Sequence, residues 1–289
     1  MVRAFLRSFK AHSYSYATKM IDKNAPSGCV RSSRGSAAQT PRSSMKPTSS
    51  QTMEKLTALD RLFDYRARAS DGCAWFKIVR GRVPVLVSAP HACMHQREGV
   101  VKMQEEYTGA LAVYLAEQCG CHAIATQFKT DEDPNWQAQS DYKNAISQLA
   151  SDTEIRLLID LHGMTNRYHM GVALGTIHGK SCDVNDVLPH FIQAGFQETA
   201  AADLTPDHKN AWRRIVVDHP KFSGGVVNHT VTRFAAHDLA IASVQVELSS
   251  EARVVKSAAT DDWPFEYRGN PEAILATVSA LESLVNASS

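Results

Sequence analysis

The sequence predicts a single α/β domain with a central mixed β-sheet flanked by helices. Short apolar segments of strand length alternate along the chain with segments in which apolar residues recur at helical spacing. Residues 155–161 (IRLLIDL) form a largely apolar run, as expected for a strand buried on both faces of a sheet. The chain has 289 residues and 44% hydrophobic content, which is enough to bury one sizeable core.

The individual elements follow from local sequence patterns. The predicted strands cover residues 75–79, 85–88, 122–128, 155–161, 171–175 and 240–248. The predicted helices cover residues 108–118, 142–149, 184–196 and a final segment that Asn270 caps and Pro271 begins. Ligands of such sheets bind beyond the carboxyl ends of the strands. The polar residues that follow strands are therefore the candidates for chemistry.

Residues 1–52 differ in composition from the rest of the chain. The first 50 residues contain nine Lys or Arg, a single acidic residue, and frequent serine. Such a segment cannot bury enough apolar surface to offset its ordering entropy, so we expect a disordered basic extension over residues 1–52 and a catalytic domain over residues 53–289. An Arg- and Ser-rich, acid-poor composition is typical of an organelle transit peptide and predicts a mitochondrial or other organellar protein. The alternative is a plain tail, or initiation at Met45 or Met53, on a cytoplasmic protein.

The overall charge and hydropathy argue against two classes of partner. The formal net charge is +1 and the core lacks interleaved basic and aromatic residues, so no nucleic-acid partner is expected. No apolar run approaches the ~20 residues that span a bilayer, so no membrane partner is expected. The expected partner is a small molecule, and the sequence leaves the oligomeric state open.

The first strand end with candidate chemistry lies within residues 85–99. An apolar strand stops at Pro90, and His91, His95, Arg97 and Glu98 follow within eight residues. His95 and Glu98 have the spacing HxxE, and an imidazole and a carboxylate on one turn can both bind a zinc ion. Whether His91 or His95 pairs with Glu98 is left open. The alternative is a loop of solvated polar residues.

The second strand end is LLIDLHG, residues 157–163. Residues two apart on a strand point to one side, so Asp160 and His162 share a face. A carboxylate beside a metal-bound imidazole commonly orients the ring, which makes His162 a candidate ligand and Asp160 its supporting partner. The alternative is a buried hydrogen bond between the two side chains with no metal.

The third strand end is SVQVELSSEAR, residues 243–253. Gln245 and Glu247 share one face of the predicted strand. A buried carboxylate beside a metal site can activate water, and burial raises its pKa toward neutrality, which suits a general base. Glu247 is therefore the candidate base, with Gln245 beside it. The alternative is a surface glutamate on an edge strand.

Several segments in one order resemble the N-formylglutamate amidohydrolase family. The segments are PHA (90–92), IDLHG (159–163), ALGTIHGKSCD (173–183), FSGG (222–225), TR (232–233) and QVELSSEAR (245–253). The resemblance covers roughly residues 80–255. It implies a fold similar to that of zinc carboxypeptidases and aspartoacylases (phosphorylase/hydrolase-like), one Zn²⁺ ion, and hydrolysis of the amide bond of a small N-acyl amino acid such as an N-formyl derivative.

The resemblance also assigns individual residues. His91 matches the histidine of the family's PH motif, His162 that of its Asp-x-His motif, and Glu247 the late glutamate. In the carboxypeptidase-like branch, HQRE resembles the HxxE zinc motif instead, which favours His95 and Glu98. The family's DLNR segment is replaced by DEDPNW (131–136), which keeps Asp133 and Asn135 but has Trp136 in place of the arginine.

These assignments give an expected mechanism. Zinc is held by His91 or His95, by Glu98 and by His162, and Glu247 takes a proton from the attacking water. The substrate-binding candidates are Arg233 first, then Arg97, Arg213, Arg253 and Asn135. Two alternatives remain: a zinc carboxypeptidase that acts on peptides, and an inactive ligand-binding relative of the family.

Overall fold

The computed structural model describes residues 47–206, 209–257 and 265–289. Its strands are β1 (Asp64–Arg68), β2 (Phe76–Val79), β3 (Val83–Ala89), β4 (His95–Arg97), β5 (Val100–Lys102), β6 (Cys121–Thr126), β7 (Phe128–Lys129), β8 (Leu157–Met164), β9 (Val172–Gly175), β10 (Gln197–Glu198), β11 (Arg214–Val217) and β12 (Ala242–Ser249). Its α-helices are α1 (Ser49–Asp60), α2 (Thr108–Cys119), α3 (Asp141–Asp152), α4 (Leu188–Gln193), α5 (Val231–Asp238), α6 (Ser250–Arg253) and α7 (Pro271–Ala287).

Eight of these strands form the central sheet, in the order β10-β11-β9-β12-β8-β3-β6-β2. The four adjacent strands β12, β8, β3 and β6 are parallel to one another, whereas β9 is antiparallel to β12 and β2 is antiparallel to β6. The predicted α/β fold with a mixed sheet is thus confirmed. Because four neighbouring strands run in the same direction, their carboxyl ends meet at one edge of the sheet.

The register of β8 and β12 places the predicted chemistry side by side. Glu247 lies opposite His162, and Gln245 lies opposite Asp160. All four side chains are buried. A strand points alternate side chains to opposite faces, so this pairing puts the four residues on one face of the sheet.

Helices cover both faces of the sheet. On one face, Val85 and Val87 of β3 join a large apolar cluster with α1, α2, α4 and α7. On the other face, Leu86 of the same strand joins a smaller cluster with α3 and α5. The alternation along β3 therefore gives each face its own core, as expected for a strand in the interior of an α/β sheet.

Two predicted elements differ from the structure. The strand predicted over 155–161 lies at Leu157–Met164, so Asp160 and His162 are both inside β8 instead of at its end. The helix predicted over 184–196 is only α4, Leu188–Gln193, preceded by a short 3₁₀ turn. Pro189 lies in the first turn of α4 because proline has no N–H to continue a helix that starts earlier.

Helix α1 begins before the predicted start of the domain. Thr48 caps it by accepting a hydrogen bond from the Gln51 backbone N–H, and the Gln51 side chain accepts one from the Thr48 N–H. Residues 49–52, assigned from composition to the extension, are therefore helical. Residues 1–46 lie outside the described residues, and the transit peptide stays a prediction. No described helix has both the length and the apolar composition that crossing a bilayer requires.

Candidate metal centre

Three side chains converge at the carboxyl edge of the sheet. His91 follows β3, Glu105 precedes α2, and His162 lies in β8. Nδ1 of His91 is 3.2 Å from Glu105 Oε1, and Nδ1 of His162 is 3.0 Å from Glu105 Oε2. One carboxylate thus lies between two imidazole nitrogens, and these candidate ligand atoms are all within 4.8 Å of one another.

The hairpin β4–β5 explains why Glu105 takes the position predicted for Glu98. The hairpin leaves the sheet after His91 and returns, and the Glu105 backbone N–H donates a hydrogen bond of 2.9 Å to the His91 carbonyl. Glu98 lies at the exposed tip of this hairpin, with a φ of +53°. The prediction of Glu98 as a ligand is corrected, because Glu98 is exposed and belongs to neither group of candidate metal ligands among the described residues.

His95 belongs to a second group, with His91 and Asp133. Its ring stacks on that of His91 with the centroids 4.0 Å apart. Burial, followed by the neighbouring His91, lowers the pKa of His95 to about 3. A cavity adjoins the site, and His91, Glu105 and His162 all line it. His95 and Asp133 do not line this cavity. A catalytic zinc needs an open position for water, so the geometry favours the group with Glu105.

Polar partners fix the far side of each imidazole. Nε2 of His91 is 2.8 Å from Asp133 Oδ1. Nε2 of His162 is 3.3 Å from Asp160 Oδ2 and 2.7 Å from the side-chain amide nitrogen of Asn135. A carboxylate behind a histidine orients the ring so that its other nitrogen faces the ligand, as is common behind metal-bound histidines. Sequence reasoning noted Asp133 only as a remnant of the DLNR segment.

The partners are themselves anchored. Asp160 accepts hydrogen bonds from Ser88 (2.9 Å) and Thr232 (3.2 Å). Asp133 also accepts one of 2.6 Å from Arg97 Nε. Each buried carboxylate therefore has several donors, which offsets the cost of removing its charge from water.

Burial and neighbouring charges act in opposite directions on these groups. Burial raises the pKa of Glu105, but His162 and His91 outweigh it and hold the pKa well below its usual range. Burial lowers the pKa of His162, but Glu105 and Asp160 outweigh it and raise the pKa. Without a metal, Glu105 is therefore ionised and His162 holds its proton, and a metal ion that binds here would displace that proton.

Glu247 lies beside this cluster without joining it. Its Oε1 accepts a hydrogen bond of 2.7 Å from Gln245 Nε2, and both side chains line the cavity. Burial raises the pKa of Glu247 to about 7, and the nearby Glu105 carboxylate acts in the same direction. A carboxyl group with that pKa can accept and release a proton near neutral pH.

The cavity has a volume of about 480 Å³. Part of its wall is formed by the cluster of His91, Glu105 and His162. The side chains beside this cluster are Arg97, Asn135, Gln245 and Glu247. The loop at residues 220–230 supplies most of the other lining residues. This size is within the ~300–1,000 Å³ range of small-molecule sites.

Of the four predicted arginines, only Arg97 lines this cavity. Arg233 Nη1 donates a hydrogen bond of 3.4 Å to the Val226 carbonyl. Arg213 lies over the Trp212 ring and pairs with Glu272. Arg253 is buried behind the site, where a Cβ added to Gly163 would lie 2.6 Å from its guanidinium. Arg233 and Arg253 are not among the residues that line the cavity, and their part in substrate binding stays a prediction.

The donor set of the cluster fits zinc. Two imidazole nitrogens and one carboxylate, with a cavity on the fourth side, are the ligands of many catalytic zinc sites. The partners behind both rings leave Nδ1 of each facing Glu105. A zinc ion at this position would be held by His91, Glu105 and His162.

A comparison with protein-family models and with curated proteins finds no match. Among solved structures, the chain is similar to a bacteriophage poly-γ-glutamate hydrolase, with a TM-score of 0.40 and 15% identity over 75% of this chain and 90% of that one. It is also similar to a putative carboxypeptidase A from Shewanella denitrificans, with a TM-score of 0.41 and 14% identity over 82% and 69%. A glutaminyl cyclase from an Acidobacteriales bacterium has a TM-score of 0.39 and 12% identity over 87% and 96%. Similarities this distant assign neither a family nor an activity, and membership of the N-formylglutamate amidohydrolase family stays a prediction.

The cluster predicts one zinc ion per chain. His162→Ala should weaken zinc binding by more than about 100-fold, because loss of a ligand exceeds the 10- to 100-fold effect of losing a supporting partner. Competition with a chromophoric chelator measures this affinity. The matched control is His237→Ala, since His237 is exposed on α5 and belongs to neither histidine group. Equal zinc affinity in the His162 variant and the control would contradict the assignment.

Proposed function

We propose that this chain is a zinc-dependent hydrolase that cleaves the amide bond of a small N-acyl amino acid. The observation that carries the proposal is the position of Glu247. This buried carboxylate lies in register with His162, lines the same cavity as the cluster, and has a pKa of about 7. A cluster of candidate metal ligands, with a proton acceptor beside it and an open cavity, is the arrangement used for metal-assisted hydrolysis.

Each residue has a defined part in the reaction. A zinc ion, when bound, supplies positive charge that polarises the amide carbonyl and acidifies the attacking water. Glu247 accepts the proton of that water and then donates it to the leaving amine. Gln245 donates a hydrogen bond to Glu247 Oε1 and so leaves Oε2 for this proton. Asp133 and Asp160 keep the imidazoles of His91 and His162 in place throughout.

Arg97 is the candidate for the substrate carboxylate. It lines the cavity, its Nε donates to Asp133, and its guanidinium lies over the Trp136 ring at 5.2 Å. These contacts fix the guanidinium plane, and no hydrogen bond from its two terminal NH₂ groups is found within the described residues. A guanidinium held in this way can bind a carboxylate by two parallel hydrogen bonds. Arg97 thus supplies the charge that Trp136 lacks in the segment resembling DLNR.

Glu247→Gln separates metal binding from turnover. The amide keeps the shape of the side chain but cannot accept the proton, so zinc affinity should be retained while kcat falls by about 10²- to 10⁴-fold. Hydrolysis of a panel of N-acyl amino acids, with metal content determined on the same samples, measures both. Glu198→Gln, on the exposed strand β10, is the matched control. Full activity in the Glu247 variant would eliminate Glu247 as the base.

Arg97→Met tests the substrate contact. Loss of a charge-assisted hydrogen bond pair should raise KM by about 10- to 100-fold, corresponding to ~1.5–3 kcal/mol. Because Arg97 also contacts Asp133, zinc affinity is measured in parallel. Arg97→Lys should recover part of the effect, since it keeps the charge but not the two-pronged geometry. An unchanged KM for every carboxylate-bearing substrate would contradict this role.

A further inference from the structure

The part of the cavity wall that the loop at residues 220–230 forms carries exposed apolar side chains. Val226 and Val227 line the cavity and are 47% and 84% exposed, and Phe222 and Pro220 line it beside them. The other wall is polar. Apolar side chains left in contact with water at the edge of a pocket gain free energy when an apolar ligand group covers them.

The loop that carries these valines is held in place by several contacts. Thr230 Oγ1 donates a hydrogen bond of 2.7 Å to the Gly224 carbonyl, and the Ile177 N–H donates one of 2.8 Å to the Ser223 carbonyl. Gly225 has a φ of +111°, and a Cβ there would lie 2.2 Å from Thr230 Oγ1. The loop therefore has a defined path that presents Val226 and Val227 to the cavity.

Two basic side chains of this part of the wall, Lys221 and His178, have contacts of their own. Lys221 Nζ donates a hydrogen bond to the Tyr168 hydroxyl and lies 5.8 Å from the centroid of the Phe222 ring. His178 Nδ1 is 3.8 Å from Asp218. Beside these two side chains, Val226 and Val227 offer exposed apolar surface to a ligand.

The size of the cavity also exceeds what a formyl or acetyl derivative needs. Pockets of ~300–1,000 Å³ hold drug-sized ligands, and this cavity has about 480 Å³. With the carboxylate at Arg97 and the amide at the cluster, the lining residues that have no part yet are mainly those of the loop at residues 220–230.

Resting on the proposed function, we infer that the acyl group of the substrate is an aliphatic chain of several carbons that lies against Val226 and Val227. The amino acid carboxylate binds Arg97, the amide lies beside the cluster, and the chain follows the loop at residues 220–230. The substrate class is therefore N-aliphatic-acyl amino acids of medium chain length.

The experiment measures kcat/KM along a chain-length series. Formyl, acetyl, butyryl, hexanoyl and octanoyl derivatives are made of both glutamate and leucine, so that the preference for the amino acid does not hide the preference for the acyl group. A chain covered on one side should gain about twofold per methylene, roughly half the logarithmic effect of full burial. A flat or falling series would overturn the inference.

Two variants locate the effect. Val227→Asp should flatten the series, because a charge replaces the apolar contact. Val100→Asp is the matched control, since Val100 is 56% exposed on β5 and does not line the cavity. An equal slope in Val227→Asp and wild type would overturn the inference. Preference for an acyl chain that ends in a carboxylate over the octanoyl chain would also overturn it, because it would assign this wall to Lys221.

Binding to the zinc-loaded Glu247→Gln variant distinguishes a failure of the proposed function from a failure of the acyl site. Calorimetry gives Kd for the same series without turnover. If no compound is hydrolysed by wild type but affinity still rises with chain length, the proposed function fails and the acyl site stands. If hydrolysis occurs with no dependence on chain length in rate or affinity, the proposed function stands and the acyl site fails.

Discussion

The carboxylate of Glu105, placed between two imidazoles, is the interaction on which the rest of the site depends. Its two oxygens face Nδ1 of His91 and Nδ1 of His162, and the Gly163 N–H donates a hydrogen bond of 2.9 Å to Oε2. These contacts tie the end of β3 to β8 through a residue of the segment that precedes α2. A buried anion with two imidazole neighbours is stable only if the rings and backbone donors compensate its charge.

Two buried cations, Arg253 and Lys143, support the site from other elements. Gly163 has no side chain, which lets the buried guanidinium of Arg253 pack against the backbone next to Glu105. Lys143, buried in α3, donates hydrogen bonds to the carbonyls of Gln137 and His229. It thereby joins the segment that carries Asp133 to the loop at residues 220–230. Burial lowers the pKa of Lys143 to about 8, and nearby carboxylates limit the decrease.

Much of the fold and part of the site could be predicted from the sequence. His91, His162 and Glu247 lie in or directly after parallel strands, and such strands bring their carboxyl ends together, so their proximity follows from local pattern. Glu105 could not be found in this way, because the β4–β5 hairpin separates it from His91 by 14 residues and only the folded hairpin closes that distance. The signal available was the acidic pair at residues 105–106 directly before a predicted helix. The positions of the Arg233 and Arg253 side chains depend on how the short helices α5 and α6 pack. The spacing of residues along the chain does not encode this packing.

Zinc-edge anomalous diffraction from crystals of this protein grown with zinc would show whether His91, Glu105 and His162 hold a zinc ion. We expect one anomalous peak at ~2.0–2.3 Å from Nδ1 of His91, Nδ1 of His162 and a carboxylate oxygen of Glu105. A peak beside His95 and Asp133 instead, or no peak between His91, Glu105 and His162 at saturating zinc, would contradict this assignment.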